Sequence, residues 1–219
     1  MRKIFEADLR QVGEDLIAMS QAVEKAIDLA GRALLTADID TAQQVIEGDA
    51  LIDAMQRALD ERCVHILAQQ APVATDLRTI VAALRMSATL ERMGDLARHV
   101  AEVARGRYPA KALRPAVEPT FARMIDAART VAQEMTTLLG TRDLDLAAAI
   151  GQNDDILDNL HTESYNLLLS PQWDGSAQEA VDITLIGRFL ERFGDHATTV
   201  ARRIVFLVTG EVEDGPNHG

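Results

Sequence analysis

Two kinds of acidic pair, each with its members four positions apart, occur in both halves of the sequence. The pairs are Asp49/Asp53, Glu91/Asp95, Asp154/Asp158 and Glu191/Asp195. In a helix this spacing places both side chains on one face, one turn apart. Clusters of carboxylate oxygens bind hard or borderline cations such as Fe, Mn, Mg or Ca, and carboxylates also bind Zn. The chemistry that these residues predict is the binding of a divalent or trivalent metal ion.

The pair Glu91/Asp95 continues an apolar stripe of its helix, where a helical bundle would bury leucine. The preceding members of the stripe are Leu77, Val81, Leu84 and Ala88. Burying two like charges is unfavourable unless a cation compensates them. A metal ion is one such cation and an arginine is the other, with Arg92 and Arg192 as neighbouring candidates. A solvated face with incidental carboxylates is the third interpretation.

A glycine follows the glutamate by three residues in both halves of the chain, as Gly94 and Gly194. Glycine inside a helix costs about 1 kcal/mol relative to alanine. Its recurrence favours a site that needs space, either for a hydrated cation or for the close approach of another helix. A solvated face would not explain it.

His99 lies four residues after Asp95 and is a further candidate metal ligand, although Thr199 occupies its counterpart position. The ferritin-like di-iron pattern needs Glu-x-x-His on two helices. Only Asp158 and His161 approach it, and Asp53 and Gln56 in the first half lack the histidine. This weakens the interpretation as a di-iron enzyme without removing it.

The elements that must position these side chains are helices. Hydrophobic residues make up 47% of the 219 residues and aromatic residues only 4%, which argues against sandwiches and barrels. Apolar residues spaced by three and four predict an all-α fold with six long helices. Their expected ranges are about 9–35, 40–70, 72–105, 119–139, 143–169 and 177–208.

The chain contains an internal duplication. Residues 90–101 (LERMGDLARHVA) and 190–201 (LERFGDHATTVA) are identical at eight of twelve positions, and the acidic pair at 49–53 is repeated at 154–158. We therefore predict two similar three-helix bundles, residues 1–107 and 115–210, followed by a mobile tail at 211–219. The segment 106–119, with three of the six prolines, is the predicted boundary.

Charge and motifs exclude several classes of function. The net charge is −12, so contact with nucleic acid or with an anionic lipid surface is disfavoured. No segment reaches the roughly 18 apolar residues of a membrane span, and Cys63 is the single cysteine. No phosphate-binding loop, dinucleotide fingerprint or nucleophile elbow is present. These features predict a cytoplasmic protein without membrane insertion.

Three segments resemble the PhoU family of bacterial phosphate-signalling proteins: 69–78 (QQAPVATDLR), 90–97 (LERMGDLA) and 190–198 (LERFGDHAT). The resemblance extends from the first helix to about residue 208. It implies two similar three-helix bundles, and some family members carry multinuclear metal clusters on these acidic motifs. The candidate ligands that it implies are Asp49, Asp53, Glu91, Asp95, Asp154, Asp158, Glu191 and Asp195.

The resemblance also implies a role. Family members are cytoplasmic negative regulators that link a phosphate ABC transporter, through its ATPase, to a sensor histidine kinase. We accordingly expect a non-enzymatic adaptor, a homodimer, that reaches the inner face of the membrane through protein partners. A di-iron-type enzyme and a structural helical interaction module are the alternatives. Because Arg202 adds a positive charge near the second set of ligands, we expect the first set to bind metal more tightly.

Overall fold

The computed structural model describes residues 2–210, and the side chains from residue 5 onwards. This part of the chain contains six α-helices and no strand. The helices are α1 (Arg2–Thr36), α2 (Ile39–Gln70), α3 (Ala74–Arg107), α4 (Glu118–Thr141), α5 (Leu144–Leu168) and α6 (Ala177–Thr209). The prediction of six long helices is confirmed, with most ends within a few residues of the expected ones. The predicted mobile tail at 211–219 lies outside the described residues.

Short turns make the helices of each half neighbours in space. Asp38 caps α2, because its carboxylate accepts a hydrogen bond of 3.0 Å from the backbone N–H of Thr41. Residues 71–73 connect α2 to α3, and α3 begins at Ala74 rather than at Pro72. Val73 explains the later start, since its backbone is extended. Such short connections make consecutive helices antiparallel.

The helices form two three-helix bundles, α1–α3 and α4–α6, which contact each other through α1 with α4 and through α3 with α6. The approach of α1 to α4 is close at Gly31, where an added Cβ would lie 2.3 Å from Cγ2 of Ile125. Helices α2, α3, α6 and α5 thus follow one another in a layer. The buried apolar residues form one continuous cluster through both halves, so the two bundles share a core.

The segment between the bundles is packed, although its prolines and glycine predict a boundary. Ala112, Leu113 and Val117 are buried in it. Arg114 fixes it to the second half through ion pairs with Asp174 (2.9 Å) and Glu179 (3.1 Å). Within the described chain, no helix is both long enough and apolar enough to cross a bilayer.

Candidate functional site

The first acidic cluster lies between α2 and α3. It consists of Asp49 and Asp53 on α2 and of Glu91 and Asp95 on α3. Burial raises the pKa of Asp49, with smaller upward contributions from Asp95 and Asp53. Burial also raises the pKa of Glu91, and the other three carboxylates add to that rise. The predicted convergence of the four side chains is therefore present.

Arg98 on α3 neutralises much of the first cluster. Its Nε atom lies 2.7 Å from Oδ2 of Asp49, and its Nη2 donates a hydrogen bond of 2.7 Å to Oδ1 of Asp95. Its Nη1 donates a third contact, of 2.8 Å, to Glu102. The guanidinium side chain is only 26% exposed, and its hydrogen bonds to the carboxylates raise the pKa of Arg98. An internal cation therefore already joins α2 to α3 here.

Two other residues that the sequence suggested lie at the rim of the first cluster. Arg92 is mostly exposed and pairs with Asp95 at 3.2 Å. His99 packs its ring against Phe189 of α6, with 5.1 Å between the centroids. Its Nε2 lies 3.4 Å from Arg98, and its Nδ1 is buried without a hydrogen-bond partner. A role for His99 as a metal ligand stays a prediction.

The second acidic cluster lies between α5 and α6, and consists of Asp154, Asp158, Glu191 and Asp195. Burial is the largest cause that raises the pKa of Asp154, to about 7, and the neighbouring carboxylates raise it further. Burial and then Asp195 raise the pKa of Glu191, which Arg188 opposes. The second set of predicted ligands therefore also converges.

Two oxygen atoms of the second cluster are buried without any hydrogen-bond partner, Oδ1 of Asp154 and Oε2 of Glu191. The other carboxylate oxygen of Glu191 accepts a hydrogen bond from Arg188. Buried carboxylate oxygens are normally paired, and leaving them unpaired is costly. The second cluster thus holds more uncompensated negative charge than the first.

The difference follows from one position in the repeat. Thr198 stands where the first half has Arg98, and its hydroxyl donates a hydrogen bond of 2.8 Å to the backbone carbonyl of Asp195. Arg202 donates to that same hydroxyl at 3.1 Å and is not among the largest causes of the pKa shifts of Asp154 and Glu191. The expected ranking of the two sites depended on the charge of Arg202, but this side chain bonds to Thr198 rather than to the carboxylates.

Sequence reasoning missed Arg98 and Arg188 and proposed Arg92 and Arg192 in their place. The signal was available, because Arg98 follows Asp95 by three residues and Arg188 precedes Glu191 by three. Residues at this spacing are neighbours on a helix. What the sequence does not show is that Arg98 also reaches Asp49 on another helix.

Both helical glycines lie where neighbouring side chains come close. A Cβ added to Gly94 would lie 2.9 Å from Cδ1 of Ile52 and 3.5 Å from Oδ1 of Asp49. A Cβ added to Gly194 would lie 2.2 Å from Oδ1 of Asp154 and 2.8 Å from Cδ1 of Leu157. Gly94 therefore makes room chiefly for an apolar side chain of α2, whereas Gly194 makes room for a carboxylate of the acidic cluster and for an apolar side chain of α5.

The fit of the two clusters to a metal ion differs accordingly. Among the residues that the structure describes, no three His, Cys, Asp or Glu side chains are arranged as they stand to hold a metal ion. In the first cluster Arg98 occupies the place between the carboxylates. In the second cluster, the unpaired oxygens of Asp154 and Glu191 belong to an all-oxygen donor set that suits a hard cation.

One further donor lies beside the second cluster. His161, one turn after Asp158, is nearly buried, and its Nε2 has no hydrogen-bond partner. Burial and Arg188 lower its pKa, which favours the neutral imidazole. The ring packs over Gly187, where an added Cβ would lie 3.1 Å from Cδ2.

Comparison with known proteins matches both halves of the chain to the same domain family. The model of the PhoU domain matches residues 16–104 and again residues 121–204, so each match falls on one three-helix bundle. A relative from Mycobacterium tuberculosis, the phosphate-specific transport system accessory protein PhoU homolog 2, is 40% identical over 210 residues. The alignment covers 96% of this chain and 99% of the relative.

More distant relatives agree. The phosphate-specific transport system accessory protein PhoU homolog of Deinococcus radiodurans is 34% identical, over 97% of this chain and all of that protein. The crystal structure of PhoU from Pseudomonas aeruginosa superposes with a TM-score of 0.83 at 33% identity, over 94% of this chain and all of that one. With a duplicated domain match and relatives of this identity along nearly its whole length, the chain belongs to the PhoU family.

Proposed function

We propose that this chain is an accessory protein of a phosphate-specific transport system and acts as a negative regulator of phosphate uptake and of phosphate-starvation signalling. In this role it is an adaptor between the transporter's ATPase and a sensor histidine kinase. The names of the relatives support the transport role. The finer roles are those that the sequence resemblance implies.

The physical character of the chain supports an adaptor rather than an enzyme. Its apolar core is continuous through both bundles, which gives a rigid body that carries two acidic clusters. In the first cluster an arginine pairs with carboxylates of two helices, and in the second the carboxylates outnumber the arginines. Binding surfaces of this kind discriminate partners by charge complementarity.

We propose further that the second acidic cluster binds a metal ion, with Asp154 and Glu191 as the principal ligands and Asp158 and Asp195 beside them. The observation that carries this proposal is the pair of buried carboxylate oxygens without a partner. A cation there, Fe, Zn, Mn or Mg, would supply the positive charge that Arg98 supplies in the first cluster. These carboxylates would then join α5 to α6 instead of repelling each other.

The regulatory role is tested in cells that lack this protein. We expect genes of the phosphate-starvation response to be expressed constitutively there, and the intact gene to restore their repression at high phosphate. Normal repression in the deletion strain would contradict the proposal. Retention of the transporter's ATPase and the sensor kinase on the purified chain, and their absence from a matched acidic helical protein, tests the adaptor role.

The metal proposal is tested by elemental analysis of protein purified without chelators and without an affinity metal column. We expect Fe, Zn, Mn or Mg at close to one equivalent or more per chain, lost on dialysis against a chelator. Oxygen consumption by the iron-loaded protein would instead favour a di-iron enzyme. Fractionation of cell extracts and light scattering test the proposed cytoplasmic location at the inner face of the membrane and the proposed homodimer.

A further inference from the structure

A groove of about 360 Å³ lies between the first turns of α3 and the last turns of α6, far along both helices from the acidic clusters. Its floor is apolar and includes Leu77, Val81 and Phe206. Leu77 is 41% and Val81 is 36% exposed, so two large apolar side chains one turn apart reach the solvent at this groove. Its rim is formed by Arg78, Arg85 and Arg203. We call this feature the arginine groove.

The three rim arginines have no carboxylate partner among the described residues. Arg78 lies 5.4 Å above the ring of Phe206, and its Nε is buried without a hydrogen-bond partner. Burial, and then the like charge of Arg85, lowers the pKa of Arg203. Three guanidinium groups thus stand together at one site, and no carboxylate of residues 5–210 pairs with them.

This concentration of positive charge runs against the rest of the chain. The sequence has 34 acidic and 22 basic residues, and Arg98, Arg114 and Arg188 each contact at least one carboxylate. A partner of complementary charge must therefore be anionic at this place. The exposed apolar floor adds a second requirement, because a small inorganic anion would leave Leu77 and Val81 in water.

We propose that the arginine groove is a docking site for an acidic segment of a partner protein, one in which an apolar side chain lies next to carboxylates. The carboxylates pair with the rim arginines, whose planar guanidinium groups suit carboxylates, and the apolar side chain covers Leu77 and Val81. The site lies apart from both acidic clusters. It goes beyond the proposed function, and it does not depend on a bound metal.

The test uses a fluorescein-labelled peptide of ten residues that alternates Glu and Leu, and a control peptide that alternates Glu and Ser. Binding to the full chain is followed by fluorescence anisotropy at low and at high NaCl. We expect the Glu/Leu peptide to bind more tightly than the Glu/Ser peptide, and more weakly as salt rises. The double variant Arg85→Gln/Arg203→Gln should weaken binding by roughly tenfold.

The matched control is Arg105→Gln/Arg123→Gln, which also removes two positive charges, one from α3 and one from α4. It should bind the Glu/Leu peptide as the unmodified chain does, and circular dichroism should show that both double variants remain helical. A Leu77→Ser/Val81→Ser variant should abolish the preference for the Glu/Leu peptide.

Four results would overturn the proposal. The first is that the two peptides bind equally well, and the second is that both arginine double variants lose the same binding affinity. The third is that millimolar inorganic phosphate displaces the peptide whereas chloride of equal ionic strength does not. The fourth is that neither peptide binds. A chain that ends at residue 210 gives a fifth result. If it binds the peptide more than tenfold more tightly than the full chain, the acidic C-terminal segment EVEDGPNHG is the occupant and no partner is needed.

Discussion

The two halves of the molecule carry the same acidic pairs and the same helical glycine, yet their clusters differ in how the negative charge is compensated. In the first half Arg98 contacts Asp49 and Asp95 within 2.7 Å. In the second half Thr198 takes the place of that arginine, and an oxygen of Asp154 is buried without a partner. Duplicated helices can therefore keep one geometry while a single residue decides whether their junction supplies its own cation.

The difference has a functional consequence if the metal proposal holds. The junction of α2 with α3 is joined at all times, because Arg98 is covalently part of it. The junction of α5 with α6 is joined only when a cation is bound, so its stability follows the supply of that cation. The rigidity of the second bundle then depends on the concentration of that cation in the cell.

The largest expected effect is on metal binding. Asp154→Asn should lower the affinity for the bound metal by more than roughly tenfold, because it replaces a ligand that has no other cation. Asp49→Asn should change it little, since Arg98 already occupies the first cluster. This ranking reverses the expectation from the sequence, whose basis was the charge of Arg202. Calorimetric titration of chelator-treated protein with the metal found by elemental analysis measures both affinities.

A control variant tests whether the loss of any carboxylate lowers the affinity for metal. Asp126→Asn removes a carboxylate that pairs with Arg129 within its own helix and lies outside both clusters, so it should leave the affinity unchanged. Greater loss from Asp49→Asn than from Asp154→Asn would restore the original ranking and would show that Arg98 withdraws from the first cluster when metal binds.

The next effect is on stability. Arg98→Leu should destabilise the protein by roughly 2–3 kcal/mol, because it leaves Asp49 and Asp95 partly buried without their cation. The same variant should create metal binding in the first cluster, and added metal should then recover part of the lost stability. Urea unfolding with chelator and with metal measures both effects. Equal stability of Arg98→Leu and the unmodified chain would mean that the ion pairs contribute nothing.

The fold was largely predictable from the sequence, and the electrostatics of the site only in part. Apolar spacing and the repeat predict the six helices and the two bundles because burial of an amphipathic face dominates helix packing. The acidic pairs also predict which carboxylates converge. Which arginine neutralises which carboxylate was not predictable. Arg98 contacts carboxylates on two helices, and Arg202 bonds to the hydroxyl of Thr198. Such choices depend on distances of a few ångströms between helices.

A smaller effect is on the pH dependence of stability. The pKa of Asp154 is about 7 in the folded protein, against an ordinary value of 3.8. The folded chain therefore holds this proton to higher pH than the unfolded chain does. The metal-free protein should lose stability as pH rises from about 4 to 7. Asp154→Asn should flatten this dependence and stabilise the metal-free protein at pH 8 by about 1–2 kcal/mol, after allowance for partial exposure.

Urea unfolding with chelator at pH 5 and pH 8 checks this dependence, with Asp49→Asn as the comparison from the first cluster. That variant should stabilise less than Asp154→Asn at pH 8, because Arg98 already offsets part of the cost of burying the Asp49 charge. A metal-free protein that is more stable at pH 8 than at pH 5, with Asp154→Asn unchanged, would show that another cation already compensates Asp154.

The smallest expected effect is that of alanine at the two helical glycines. It tests whether the space that Gly194 leaves for a carboxylate matters to metal binding. Alanine in place of helical glycine stabilises by up to about 1 kcal/mol when its Cβ is accommodated. At Gly194 the Cβ would displace Oδ1 of Asp154 from 2.2 Å, and the carboxylate can rotate toward water. The same Cβ would lie 2.8 Å from Cδ1 of Leu157, which is buried, and this contact should offset the gain in helix propensity. Gly194→Ala should therefore change the stability of the metal-free protein little, while it weakens metal binding.

At Gly94 the Cβ would meet Cδ1 of Ile52 at 2.9 Å, and this side chain is buried between the helices. Its displacement should cancel the gain in helix propensity, because a packed core has little room to adjust, and should leave metal binding unchanged. Thermal unfolding with chelator, beside a metal titration of the same preparations, compares the two variants. If Gly94→Ala lost metal and Gly194→Ala kept it, the cation would belong to the first cluster, and the unpaired oxygens of Asp154 and Glu191 would have another cause.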